Sequence, residues 1–338
     1  VKKTVVLYGL MVVLLVGLVV RVARPPGEKR LTRTEFLMDT IVNSVAFSRD
    51  RSAGEKALGL VYLEMARLEV LLDRYRDSSD VSKINRSAGE APVSVTGETL
   101  DVIIRALQVG TQTGGAFDIT VAPVLSLWGF GTAEENVPAA EELAKALRLV
   151  DFRGVRLDEA AGTVFLETRG SQIDLGGIAK GYIVDRAAEF LLEQGITSAY
   201  LDAGGDIRVI GEKPDGSPWR IGVRHPRERR EIIAIVELRD QAIVTSGDYE
   251  RFFIADGTRY HHIIDPATGY PAQGLVSVTV VAPDALTADA LSTAGFVLGL
   301  ERAMALFESM ADVEAIIVSE EGEVHITSGL QGQVEVRS

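Results

Sequence analysis

The chain has 338 residues, 46% hydrophobic and 25% charged, with a formal net charge of −13. That is enough chain for two lobes or one large domain with an ample core. The acidic balance excludes a nucleic-acid binder, whose affinity comes from basic patches. The lack of any cysteine excludes disulfides, thiolate metal sites and a cysteine nucleophile.

Lys2 and Lys3 precede an uncharged run from Thr4 to Val20, and Arg21 and Arg24 follow it. At 1.5 Å per residue the run spans about 25 Å, a little less than a hydrocarbon core of about 30 Å. No polar face interrupts it, which argues against a core helix. An uncleaved membrane anchor over 1–24 is expected, with a cleaved signal peptide as the alternative. Arg21 sits badly for a cleavage site. Pro25-Pro26-Gly27 opens a linker over 25–34, and 35–338 is expected to be the folded domain.

In chain order, alternation predicts a first strand at 35–49. Ala57, Val61, Leu68 and Leu72 predict a helix over 53–73. Leu100, Ile103, Ile104 and Leu107 predict another over 96–113, with Thr96 as N-cap and Gly114-Gly115 as its stop. A third lies at 138–149, followed by strands near 155–157 and 163–167. A helix from Lys180 to Gly195 comes next. Strands then follow at 198–201, 206–211, 219–224, 232–238, 242–245, 251–254, 259–264 and 276–282. Helices at 285–298 and 300–310 precede strands at 313–318 and 323–327. The pattern is α+β, with mixed, largely antiparallel sheets and interspersed helices.

Four segments concentrate residues suited to chemistry. Gly114-Gly115-Ala116-Phe117-Asp118-Ile119-Thr120 pairs glycines that let backbone approach a ligand. As a plain helix stop it needs no function. Asp174-Leu175-Gly176-Gly177-Ile178-Ala179-Lys180-Gly181 puts a carboxylate, a turn and a lysine at a helix start, where phosphate is attracted. It is not a Walker A loop. His261-His262-Ile263-Ile264-Asp265-Pro266 holds two of the four histidines. Neighbours in a strand face opposite ways, so only one of the pair can serve a given site, as base or phosphate donor. Asp289 and Thr293 are four apart on one helix face, and their hard oxygens suit Mg²⁺ better than Zn²⁺. That spacing alone is also common on solvated faces.

Taken together with Met38-Asp39-Thr40 and Thr245-Ser246-Gly247-Asp248-Tyr249, these segments resemble the ApbE-type FAD:protein FMN transferases from about Glu35 onward. The resemblance implies an ApbE-like fold and Mg²⁺-dependent transfer of FMN from FAD to a Thr or Ser hydroxyl of an acceptor protein. The link is a phosphoester, and AMP is released. It implies Asp289, Thr293 and the Gly177 carbonyl as metal ligands and His262 as the catalytic histidine. Met38, Tyr75, Ala116, Phe117, Asp118, Asp174, Lys180 and Ile264 would line the FAD site. With the anchor, it implies an extracytoplasmic enzyme held at the membrane. Asp39 departs from the family, which usually has glycine there. An FAD pyrophosphatase and a non-catalytic flavin carrier are the rival readings.

Overall fold

The computed structural model describes residues 27–228, 230–332 and 334–336. The expected membrane segment at 1–24 lies outside them. Among the described residues no helix is long and apolar enough to cross a membrane.

The chain opens with β1 (Lys29–Leu37) and β2 (Thr40–Ser48), an antiparallel hairpin in which Leu37 pairs with Thr40. The single strand expected at 35–49 is thus the second arm of a hairpin. Most of the expected linker, 29–34, is the first arm. Met38 and Asp39 form the turn at φ +53° and +56°. Two successive left-handed residues match the right-handed strand twist. Asp39 adopts the conformation a glycine would hold there, and among non-glycine residues Asp tolerates it comparatively well.

Next comes α1 (Arg51–Leu72), capped by Asp50, whose carboxylate accepts from the Ser52 and Ala53 N–H groups. Such caps contribute about 1 kcal/mol. Two short helices escape periodicity: α2 (Asp80–Arg86), capped by Ser79, and, further along, α4 (Ala122–Trp128), opened by Pro123. Each has seven residues, too few to repeat an apolar stripe. Between them lie β3 (Val93–Ser94) and α3 (Gly97–Gln112), where Thr96 caps as expected. Then follow α5 (Ala140–Leu147), β4 (Val155–Asp158), β5 (Thr163–Leu166) and α6 (Ala179–Glu193).

The second half runs β6 (Ala199–Ala203), β7 (Asp206–Ile210), β8 (Trp219–Arg224), β9 (Ile232–Leu238) and β10 (Ala242–Gly247). The hairpin β11 (Phe252–Ala255) and β12 (Thr258–His261) precedes β13 (Leu275–Ala282). The helices α7 (Ala285–Leu298) and α8 (Leu300–Glu308) lead to β14 (Glu314–Ser319), β15 (Val324–Ile326) and β16 (Glu335–Val336).

An eight-stranded sheet in the order β1-β2-β6-β7-β10-β13-β14-β15 organises the fold. All its pairings are antiparallel. Smaller sheets are β16-β9-β8 and β3-β5-β4. Both are also antiparallel, so the expected mixture of strand directions reduces to one parallel bridge, Val121 with Gln172. Helices α1, α6 and α7 cover one face of the large sheet, burying Val42, Leu201, Val244 and Val278. The β8–β9 pair covers part of the other, burying Val209, Ile243, Val281 and Ile316. Strand β13 is covered on both sides, and all eight of its residues are buried. This explains its continuous apolar run.

Candidate active site

The site forms where α6 and α7 cross at one end of the large sheet. Gly181 makes the crossing tight: a Cβ there would lie 2.3 Å from the Ala285 carbonyl oxygen. The Asp185 carboxylate accepts from the Ala285 and Leu286 N–H groups at 2.9 and 2.8 Å and so caps α7. Desolvation by burial raises its pKa to about 7 even against those donors.

This crossing brings the Asp289 carboxylate to the Gly181 N–H, at 3.1 Å. The helix start was expected to offer its amides to phosphate. Here Gly181 N–H serves Asp289, and the Ile178 and Ala179 N–H groups donate to the Leu175 carbonyl. The positive end of α6 therefore holds a carboxylate from the protein itself. Lys180 reaches the first residue of β7: its Nζ is 2.6 Å from Asp206 Oδ1. Burial opposes the lysine's charge, but Asp206 and Asp289 more than offset this and hold its pKa above the ordinary value. Burial, then the neighbouring Asp206 carboxylate, raise the Asp289 pKa well above the usual range.

Thr293 lies one turn beyond Asp289. Its Oγ1 is 3.3 Å from Ser246 Oγ, which also bonds Ser292 Oγ at 2.8 Å. Gly177 packs against it: a Cβ at 177 would sit 3.4 Å from Thr293 Oγ1 and 3.3 Å from Phe117 Cε2. The fold thus gathers Gly177, Lys180, Asp289, Thr293 and Phe117 from three segments far apart in sequence.

A hard cation suits this group. Asp206 is 1% exposed, and its Oδ2 has no hydrogen-bond partner among the described residues. Asp206 and Asp289 touch, and two buried carboxylates repel unless a shared proton or a cation lies between them. Two carboxylates at contact, and a threonine hydroxyl one helical turn from Asp289, are hard oxygen donors of the kind Mg²⁺ takes. Among the described residues no group of three or more His, Cys, Asp or Glu is placed to hold a metal ion.

The two histidines divide as alternation requires. His261 ends β12 and is buried; its Nε2 donates to the Ala272 carbonyl at 2.9 Å, and its ring meets Phe296 edge-on. His262 lies just past the strand. Its Nδ1 is 3.2 Å from the Arg251 carbonyl, which fixes the proton on Nδ1 and leaves Nε2 as an acceptor. Burial, and then the cations Arg251 and Lys180, lower its pKa to about 3.

The remaining expected residues have distinct positions. Met38 is buried, and its N–H donates to Glu69 Oε1 at 3.0 Å. Phe117 is buried, and Ala116 sits in the turn after α3 where Gly114 and Gly115 have positive φ. Asp118 is saturated internally: Oδ1 accepts from Thr120 N–H and Oγ1, and Oδ2 from Phe152 N–H. The Ile264 side chain is also turned inward, into a cluster with Trp128 and Leu143. Asp174 pairs with Arg74 at 2.8 Å and accepts from Gly176 N–H, which shapes the turn before α6. Tyr75 is 74% exposed, with the Arg74 guanidinium 4.5 Å from its ring centroid.

Four contributors were not assigned from sequence: Asp206, Ser246, Arg74 and the Arg251 carbonyl. Ser246 lies within the Thr245–Tyr249 segment that carries the resemblance, and Asp206 directly follows Gly204-Gly205, but neither was given a role.

A profile described as the ApbE family matches residues 38–317. An FAD:protein FMN transferase of Treponema pallidum (strain Nichols) is 37% identical over 325 residues, covering 91% of this chain and 90% of that protein. One from Klebsiella pneumoniae (strain 342) is 35% identical, covering 86% and 90%. The crystal structure of the ApbE protein of Thermotoga maritima superposes with a TM-score of 0.85 at 38% identity, covering 92% of this chain and all of that one. The flavin transferase ApbE of Vibrio cholerae gives a TM-score of 0.79 at 31% identity, covering 90% and 99%.

Proposed function

This chain belongs to the ApbE family, and from that membership we propose that it moves FMN from FAD to a Thr or Ser hydroxyl of an acceptor protein as a phosphoester, with AMP as the second product. The acceptor oxygen attacks the FMN phosphorus. The bond from that phosphorus to the bridging oxygen breaks, and AMP carries that oxygen away. Such transfer depends mainly on positioning and charge stabilisation.

His262 Nε2 takes the proton of the attacking hydroxyl. Its orientation is set by the bond from Nδ1 to the Arg251 carbonyl. Its pKa near 3 comes first from burial and then from the neighbouring cations. A bound pyrophosphate offsets those cations and raises the basicity of Nε2 when it is needed. Lys180 holds its charge against burial and faces the same pyrophosphate.

Asp289 and Thr293, with the Gly177 carbonyl and neighbouring Asp206, would hold Mg²⁺. When bound, the ion supplies charge neutralisation at the pyrophosphate. The contact between the buried Asp206 and Asp289 carboxylates is the observation that carries this reading. Flavin contacts fall to Met38, Tyr75 and the Ala116–Phe117 turn, while Asp118, Asp174 and Ile264 shape the backbone around them. Residues 1–24 anchor the enzyme on the extracytoplasmic side; extraction of the full-length protein from membranes only by detergent tests this. The transfer itself is tested by the mass of a purified acceptor after incubation with FAD and Mg²⁺.

A further inference from the structure

A cleft of about 540 Å³ lies on the face of the large sheet opposite α6 and α7. Val45, Phe47, Tyr200 and Ile207 form its floor, and β8 forms a wall. It contains none of the residues placed above around the metal, the histidine or the flavin.

Strand β8 is an edge strand, paired only with β9. All six consecutive residues from Trp219 to Arg224 line the cleft. Side chains of a strand alternate between faces, so a cavity touching every residue in succession runs along the strand's edge, where its unpaired backbone groups lie. Trp219 adds a second sign of a missing partner. It is 7% exposed, and its Nε1 donor has no hydrogen-bond partner among the described residues.

Charge indicates what fits. Arg30, Lys213, Arg220 and Arg224 line the cleft against Asp202 and Glu250, a basic excess in a chain of net charge −13. Arg220 is paired with Glu237 and Glu335, and Arg224 lies 4.0 Å from Glu250. Arg30 and Lys213 are in no ion pair among the described residues. Lys213 instead lies 5.8 Å from the Trp219 ring centroid.

The cleft also adjoins the site. Gly204, Gly205 and Thr245 line it, and the next residues, Asp206 and Ser246, contact Lys180 and Thr293 on the other side of the sheet.

We propose that this cleft docks an acidic, extended segment of the acceptor protein, which adds as a strand to the free edge of β8. Six residues of strand give about 20 Å of backbone pairing. The flanking chain then turns past Gly204 and Gly205 to present its hydroxyl. The inference rests on the transfer reading, since only a transferase needs such a surface.

The test uses the full chain and whichever purified host protein gains FMN in the transfer assay. Replacing Arg30→Glu and Lys213→Glu together is expected to raise KM for the acceptor about tenfold. FAD affinity and kcat at saturating acceptor should stay unchanged. In the unsubstituted enzyme, hydrogen exchange of residues 219–224 should slow when the acceptor is added. Both results are required: an unaltered KM, or no added protection of the β8 amides that do not pair with β9, overturns the proposal. If no host protein gains FMN, the transfer reading itself falls, which is a distinct result.

Discussion

Lys180 Nζ rests 2.6 Å from Asp206 Oδ1, and that aspartate is almost wholly buried. One oxygen of Asp206 thus neutralises a lysine while the other has no donor and lies beside Asp289. The two carboxylates repel unless a proton or a cation lies between them. Replacing Asp206→Asn removes the carboxylate in contact with Lys180 and leaves Asp289 as its neighbouring negative charge. It should cost about 1–3 kcal/mol of stability in urea unfolding. It should also raise the Mg²⁺ concentration for half-maximal turnover. Unchanged stability and unchanged Mg²⁺ dependence would mean that Asp206 is a bystander.

Asp289→Ala is expected to abolish FAD turnover at limiting Mg²⁺. It removes a charged ligand and leaves Thr293, a neutral oxygen, too weak to hold the ion. A Mg²⁺ titration of AMP release checks this. Full activity at low Mg²⁺ would sink the assignment.

The adjacent histidines should separate cleanly. His262→Ala should lower turnover about 10²–10⁴-fold with FAD affinity nearly unchanged, as expected for loss of a proton acceptor. His261→Ala should instead cost about 1–3 kcal/mol of stability, because its ring fills a buried place beside Phe296 and bonds the Ala272 carbonyl. Equal losses of turnover with no loss of stability for His261→Ala would reverse the roles.

That division was partly legible from sequence, and the reason is instructive. Alternation in a strand required one histidine inward and one outward. Which was which depended on where β12 ends, and element ends are set by tertiary pairing. The long helices were legible because α1 and α3 repeat an apolar stripe over many turns. The β1–β2 hairpin was not: its turn is Met38-Asp39, without the Asn-Gly or Asp-Gly signal such turns usually carry. That Asp289 and Thr293 share one helix face was legible from their four-residue spacing. Asp206 was not, because its role comes from strand β7 meeting Lys180 of α6 across the fold. The cleft beside β8 has no local signature either, since it is the gap between two sheets.

Stability should respond to pH through two groups of opposite sign. His262 has a folded pKa of about 3, below its unfolded value of about 6.5. Between these values the unfolded chain binds more protons, so this group lowers stability as pH falls from about 6.5 toward 3. Asp185 has a folded pKa of about 7, above an unfolded value of about 3.9. Between those values the folded chain binds more protons, so this group raises stability as pH falls from about 7 toward 4. Urea unfolding at pH 7.5 and pH 5 reads the sum of the two, and a variant separates them. His262→Gln should remove the first contribution and make the protein relatively more stable at pH 5 than the parent. The same pH difference in parent and variant would contradict the assignment.

The most direct measurement is the intact mass of a purified acceptor protein after incubation with this enzyme, FAD and Mg²⁺, with AMP quantified alongside. An acceptor heavier by one FMN unit, AMP released in equal amount, and no mass gain when the acceptor threonine or serine is changed to alanine are expected. Free FMN and AMP accumulating at the same rate with or without acceptor, while no acceptor gains mass, would make the enzyme a pyrophosphatase and contradict the account.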